Sequence, residues 1–227
     1  MKNFQLKALS ADKLLSFLSH ELNTPINGII GSSSLLLDTE LNDEQLLYTT
    51  SIDYSANNLH RMIKNMLDLT RIELGTLSIH TSQIDLSHKV QESIQSLSFS
   101  FDQKNIKLST NIEPGIQIQA DEDRLCQILI ALINQALRFS FQKDVEINLK
   151  KTATHYSFSV IDSGQNFPLR KSILDKILSG QSPDKLDAVS FELLYIVKMI
   201  HELNGQLSFG VLDNGQAKMN LDLIKEN

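Results

Sequence analysis

One cysteine in 227 residues, Cys126, rules out an internal disulfide and fits a reducing compartment, which points to the cytoplasm. It sits in a helical apolar pattern and reads as a small core residue, not a reactive thiol. No cysteines and histidines fall at zinc-binding spacing, and no metal ligand is assigned. Basic residues are scarce: 21 Lys and Arg against 27 Asp and Glu leave a formal charge of −6 and no basic cluster. That balance argues against a nucleic-acid partner. No apolar run approaches the roughly 20 residues that span a bilayer, so no membrane segment is expected. Met1 to Ser10 lack the apolar stretch of a signal peptide and look like the tail of a helical linker. Internal repeats and low-complexity stretches are missing too. A hydrophobic content of 41% is ordinary for a globular protein, and the length suits one large domain or two small ones.

What is present begins with two long amphipathic helices. From about Leu6 to Leu37, Leu14, Leu18, Leu22, Ile26 and Ile29 recur at steps of three and four, the spacing of a bundle seam. Asp38 to Leu41 is a short connection, and Asn42 is the expected N-cap, with Asp43 and Glu44 in the first turn. The second helix runs to about Glu73, with a seam through Leu47, Thr50, Tyr54, Leu59, Met62 or Ile63, Met66 and Leu69 and a stop at Gly75. So short a loop makes an antiparallel hairpin. Its uncovered apolar face predicts a symmetric dimer that completes a four-helix bundle.

Inside the first helix lies Ser19-His20-Glu21-Leu22-Asn23-Thr24-Pro25-Ile26-Asn27-Gly28-Ile29-Ile30-Gly31. An imidazole is a nucleophile near pH 7, and the adjacent Glu21 can take its ring proton. Thr24 follows one turn later on the same face. Pro25 removes a backbone hydrogen bond, which should bend the helix just past the histidine.

This string resembles the H-box of two-component sensor histidine kinases. The resemblance implies that His20 carries a phosphoryl group, that Glu21 is the general base, and that Thr24 helps a water dephosphorylate the partner, a response-regulator receiver domain. Met66 to Gly75 resembles the end of the same family's dimerisation and phosphotransfer domain. The first domain is accordingly expected at residues 1–75.

Residues 76–227 read as a second domain of α+β type. Expected strands lie at Leu77–Ile84, Ile106–Asn111, Ile116–Gln119, Val145–Leu149 and Tyr156–Ile161, with two more flanking Asn214-Gly215. Asp85 is expected to cap a helix to about Gln103. Asp121 should cap one carrying Leu125, Ile128, Leu129, Leu132, Ile133 and Leu137, and a last helix spans about Val189 to Leu203. Gly164 to Ala188 reads as a polar loop. This order resembles the ATP-binding catalytic domain of the same kinases, so the whole chain is expected to be a helical hairpin followed by an α+β sandwich of that ATPase type.

The family's phosphate-handling residues are altered here. Val160-Ile161-Asp162-Ser163-Gly164 resembles its first glycine box, where the aspartate reads the adenine; Asp162 and Gly164 are the candidates. The magnesium-binding asparagine falls on Gln135, and Asn134 is turned about 100° away by helical geometry. Asn166 replaces a glycine, and Val189-Ser190-Phe191-Glu192-Leu193-Leu194 replaces a box with three more. Glycines there let backbone N–H groups approach phosphate; Cβ atoms and the charge of Glu192 oppose it. The family uses ATP and magnesium, and weak or absent binding is expected here. Three activities stay open: phosphotransfer through His20 with an inactive ATP domain, an autokinase with a divergent site, and a non-catalytic regulator that pairs with another kinase.

Overall fold

Ala11–Leu37 (α1) and Asp43–Glu73 (α2) are helices of 27 and 31 residues. The computed structural model describes residues 11–140 and 144–225, the side chains of residues 11–14 and 16 apart. The expected start of α1 at Leu6 and the side chain of Leu14 therefore lie outside the described residues. The chain divides into two compact units, Met1–Leu77 and Ser78–Asn227.

In the first unit, α2 begins with a full capping box. The Asn42 side chain accepts from the Gln45 N–H at 2.9 Å, and Gln45 Oε1 accepts from the Asn42 N–H at 3.1 Å. It ends in a Schellman motif: Thr76 N donates to the Arg71 carbonyl, Gly75 N donates to that of Ile72, and Gly75 sits at φ +65°. Between the helices Ile26, Ser33, Thr49, Ala56, Leu67 and Asp68 are buried, and Ser33 Oγ donates to Asp53 Oδ1 at 2.7 Å. Of the expected seam, Leu18, Leu22, Ile29, Leu47, Leu59, Met62 and Met66 remain exposed, Met66 at 62%. The apolar stripe is wider than two helices can cover between themselves.

The second unit contains β1 (Ser82–Asp85), α3 (Leu86–Gln95), α4 (Ser98–Gln103), β2 (Leu108–Ile112), β3 (Gln117–Ala120), α5 (Glu122–Phe139), β4 (Val145–Lys151), β5 (His155–Asp162), α6 (Phe167–Leu178), α7 (Ala188–Glu202), β6 (Gly205–Val211) and β7 (Ala217–Ile224). Strands β1 and β3 form a small antiparallel pair. The main sheet has the order β2-β4-β5-β7-β6, with β2 parallel to β4 and the other pairs antiparallel. Strands β4 and β7 alternate, with Val145, Ile147, Leu149, Met219 and Leu221 buried and Glu146 and Lys150 exposed, whereas β5 is buried without a break from Phe158 to Asp162. The buried face meets Leu125, Ile128, Leu129, Leu132 and Ile133 of α5 and Leu193, Ile196 and Met199 of α7, all at or near zero exposure. Each such side chain contributes about 1.5–3 kcal/mol. This is the helix-on-mixed-sheet α+β layer expected.

Three expectations fail, the first being the strand expected at Leu77–Ile84, which is confined to Ser82–Asp85, where β3 pairs with it. The helix after Asp85 does not run unbroken to Gln103: it stops at Gln95 and restarts at Ser98. Ser93 Oγ and Ser96 Oγ bond the carbonyls of Lys89 and Ser93, competing with the helical ladder. And Gly164 to Ala188 is not all loop, because it contains α6. That helix starts at Asn166, in the left-handed region at φ 53°, has Pro168 in its first turn, and buries Leu174 and Ile177. Gly164 supplies the turn before it at φ +75°, where a Cβ would stand 2.2 Å from the Gly215 carbonyl oxygen.

Candidate functional site

In the first unit the histidine stands in the open. The His20 side chain is 78% exposed, and its Nδ1 lies 3.2 Å from Glu21 Oε1. A carboxylate can only accept, so this contact calls for a proton on Nδ1, and a neutral ring then keeps its lone pair on Nε2. Thr24 Oγ1 donates to the His20 carbonyl at 2.9 Å. That bond fixes an exposed hydroxyl one turn from the imidazole, on the same exposed side. Pro25 lies within α1, four residues after Glu21, so it offers no N–H to the Glu21 carbonyl. Asn23 Nδ2 reaches Ser19 Oγ at 3.4 Å, and Asn27 is exposed. The structure thus brings His20, Glu21 and Thr24 together.

In the second unit, Gln135 lies in the last two turns of α5, Asp162 ends β5, and Gly164 turns the chain after it; Asp162 is fully engaged, and Gln135 uses Nε2 but not Oε1. Asp162 is buried, and so is Arg170 at 0% exposure. Asp162 Oδ1 accepts from Arg170 Nη1 at 3.0 Å and from the Gly164 N–H at 2.8 Å, and Oδ2 accepts from Arg170 Nη2 at 2.7 Å. The guanidinium carbon lies 4.4 Å from the centroid of the Phe139 ring and 4.7 Å from that of Phe209. Ser163 ties the same turn to α5, its hydroxyl donating to the Phe139 carbonyl at 2.6 Å and its N–H to Ser140 Oγ at 3.1 Å. Fully buried Gln135 sends Nε2 to Glu192 Oε2 at 2.7 Å, and Arg138 Nη2 stands 3.5 Å from that oxygen. Glu192 is therefore a neutralised, buried carboxylate. Asn134 points elsewhere and leaves its buried Nδ2 without a partner.

The start of α7 is also occupied. The carboxylate of Asp187 accepts from the N–H groups of Val189 and Ser190 at 3.1 and 3.0 Å, and the Ser190 hydroxyl reaches back to the Asp187 N–H at 2.8 Å. The Ser190 N–H, more than any other partner, holds the Asp187 carboxyl below its ordinary range. An anion of the chain's own thus sits at this helix N-terminus.

Sequence reading missed Arg170, Asp187 and Arg138. Asp187 was legible as a cap immediately before an apolar helical run. Arg170 was hidden because its segment reads as loop. Of the other histidines, His155 lies 3.4 Å from Asp222, His88 3.5 Å from Glu92 and His201 3.7 Å from Glu202; His80 is exposed and His60 half-buried. Among the described residues no three acids, histidines or cysteines gather as a metal site, and no helix is long and apolar enough to cross a membrane.

Residues 10–75 match the His Kinase A (phospho-acceptor) domain, and residues 120–224 match the histidine kinase-, DNA gyrase B- and HSP90-like ATPase. The chain is 32% identical over 198 residues to the aerobic respiration control sensor protein ArcB homolog of Haemophilus influenzae, covering 86% of this chain and 56% of that protein. It is 29% identical over 241 residues to the signal transduction histidine-protein kinase BarA of Escherichia coli, covering 98% of this chain and 26% of that one. It therefore spans about half of the first relative and a quarter of the second. In fold it resembles full-length ShkA, solved in complex with AMPPNP, with a TM-score of 0.64 and 24% identity over 93% of this chain and 45% of that one. It also resembles the Acinetobacter baumannii histidine kinase AdeS, with a TM-score of 0.57 and 16% identity over 92% of this chain and 98% of that one.

Proposed function

We propose, from the premise that this chain belongs to the two-component histidine kinases and carries their core, that it exchanges phosphoryl groups through His20 with a receiver-domain aspartate and does so without ATP of its own. The observation that carries the reading is the contrast between the two units. His20 is open, with Glu21 on Nδ1, whereas in the second unit Asp162 is held by Arg170, Gln135 Nε2 by Glu192, and the N–H groups that open α7 by Asp187.

In the transfer step the bare Nε2 of His20 attacks the phosphorus of an aspartyl phosphate on the receiver. The N–P bond forms as the bond from phosphorus to the aspartate oxygen breaks, and the aspartate leaves as carboxylate. The ring becomes cationic, and Glu21 stabilises the proton on Nδ1 or accepts it. General-base help of this kind is worth about 10²–10⁴-fold. Thr24, fixed by its bond to the His20 carbonyl, orients a water for attack on the same aspartyl phosphate, which releases inorganic phosphate.

Magnesium and a polyphosphate do not fit the residues present. Gln135 gives its N–H₂ group to Glu192 and keeps one buried oxygen, Oε1, without a partner, a single neutral donor for an ion that is held through carboxylates and substrate phosphates. Arg138 stands 3.5 Å from Glu192 and takes up the charge of that carboxylate. At α7 a phosphate would have to displace the Asp187 carboxylate from two N–H groups. The second unit then serves as scaffold or docking surface. The exposed stripe of Leu22, Ile29, Leu59 and Met66 is covered by a second copy of the chain, giving a four-helix bundle. The protein acts in the cytoplasm, as such or as the cytoplasmic part of a larger receptor.

Glu21 beside His20 equally suits attack on ATP, so the decisive experiment has two arms. Labelled ATP with magnesium should leave His20 unlabelled, while a phosphorylated receiver domain should transfer label to it, and His20→Gln should accept none. Rapid labelling from ATP would make the chain an autokinase. Failure of both arms, with a mixed dimer formed with another kinase, would make it a non-catalytic regulator.

A further inference from the structure

Arg170 is an unusual residue to find wholly buried, since an arginine inside a protein needs both a counter-charge and a home for its flat guanidinium. Here it has both. Asp162 meets it edge-on through two hydrogen bonds, and the rings of Phe139 and Phe209 lie within cation–π range of its carbon. These three side chains come from β5, from the end of α5 and from β6, and none of them belongs to α6. The carboxylate and both faces of the receptor thus come from the sheet and α5, while α6 backs the Phe209 ring with Phe167 at 4.8 Å and supplies what fills the slot. The fit is incomplete in one respect. Binding through the two terminal nitrogens leaves the buried Nε without a partner, so the slot is not tailored to a whole arginine.

A carboxylate beside two π-faces selects a chemical class: a flat group with N–H donors along one edge. Guanidinium and amidinium ions belong to it, and so does an amino-substituted heterocycle such as adenine. We infer that Asp162, Phe139 and Phe209 form a binding slot for a planar N–H donor, and that Arg170 is its built-in occupant, shutting out any base from solution. The inference rests on the reading that the second unit does not use ATP, and it gives that reading a single residue as cause. Both Asp162 oxygens are taken, so an incoming base must first break a buried ion pair. Breaking such a pair costs roughly a hundredfold to several thousandfold in affinity.

Adenosine is the suitable probe: it offers the flat N–H edge but has no phosphate, so the altered phosphate region does not enter. Titration calorimetry on the full chain should show no adenosine binding at millimolar concentration for the wild type. Arg170→Ala and Arg170→Gln should each bind it at least about a hundredfold more tightly. Asp162→Asn combined with Arg170→Ala should lose that binding. Methylguanidinium should raise the melting temperature of Arg170→Ala, and methylammonium at equal ionic strength should not, because only the former is planar. Wild-type affinity equal to that of Arg170→Ala would overturn the inference, as would folded variants that respond to neither probe. If neither variant folds, the wild type decides. The side-chain ¹⁵N resonances of Arg170 should stay unmoved by millimolar adenosine, and their displacement would overturn the inference. Labelling of His20 by ATP is a separate outcome: it would defeat the phosphotransfer reading, whereas the adenosine titrations bear on Arg170.

Discussion

Deleting one half of the Asp162–Arg170 pair should destabilise the second unit more than any loss of exposed charge. Asp162→Ala leaves a guanidinium at zero exposure with no counter-charge, and removal of one partner from a buried pair costs about 3–5 kcal/mol. For a unit of about 150 residues, each kcal/mol lowers the melting temperature by about 2–4 °C, which gives a fall of roughly 6–20 °C. Arg170→Met should cost a similar amount, because it strands the carboxylate and also gives up the contacts with Phe139 and Phe209, worth about 0.5–2 kcal/mol. Asp162→Ala combined with Arg170→Met removes both charges and closes the double-mutant cycle. It should cost little more than either single change, a coupling of about 2–4 kcal/mol. Lys171→Ala breaks the exposed pair with Asp175 and serves as control at under about 0.5 kcal/mol. The assay is urea unfolding followed by far-ultraviolet circular dichroism, with unchanged m-values across the set as the condition for comparison. Additive single costs, or an Asp162→Ala cost below about 1 kcal/mol, would refute the buried pair.

Three further expectations concern single residues. Glu21→Gln should slow transfer of label from a phosphorylated receiver to His20 by about 10²–10⁴-fold. Thr24→Ala should leave that transfer intact and remove release of inorganic phosphate; a Thr24→Ala protein that still dephosphorylates the receiver at the wild-type rate would deny Thr24 its role. Gly164→Ala should lower stability by more than about 3 kcal/mol in the same unfolding assay, since it combines a left-handed φ with a Cβ driven onto the Gly215 carbonyl. Asp187 sets a pH dependence. Its carboxyl is held below the ordinary value of 3.8, so its contribution to α7 is complete above that value and is lost as pH falls through the lowered one. The amide resonance of Ser190 should therefore titrate with a midpoint below 3.8, and a midpoint at or above it would show that the cap is not formed.

Much of this architecture was legible because its signals are local. Asn42, Asp85 and Asp121 cap helices as their side-chain chemistry dictates, and Gly75 closes α2 in the one conformation that favours glycine. The alternation along β4 and β7 reads directly as one buried face. The H-box string is local as well, and His20, Glu21 and Thr24 stand together because one helical turn suffices to gather them. What escaped the sequence is nonlocal. Gln135 and Glu192 are 57 residues apart, and their contact exists only once α5 and α7 lie side by side. Asp162 and Arg170 are only eight apart, yet their pairing requires α6 to fold back over the end of β5, and a segment with several polar residues gave weak warning of that helix.

The direction of that error bears on function. Sequence reading finds which residues are missing from a phosphate site, and from missing residues it infers weakness of binding. The structure adds that Glu192, Arg170 and Asp187, all from α6 or the N-terminal half of α7 and its cap, engage several of the remaining polar groups, while Gln135 Oε1, Asn134 Nδ2 and Arg170 Nε stay unmatched. Restoring single glycines at Asn166, Val189 or Phe191 should therefore not restore nucleotide binding. The carboxylates of Glu192 and Asp187 and the guanidinium of Arg170 would still have to leave first.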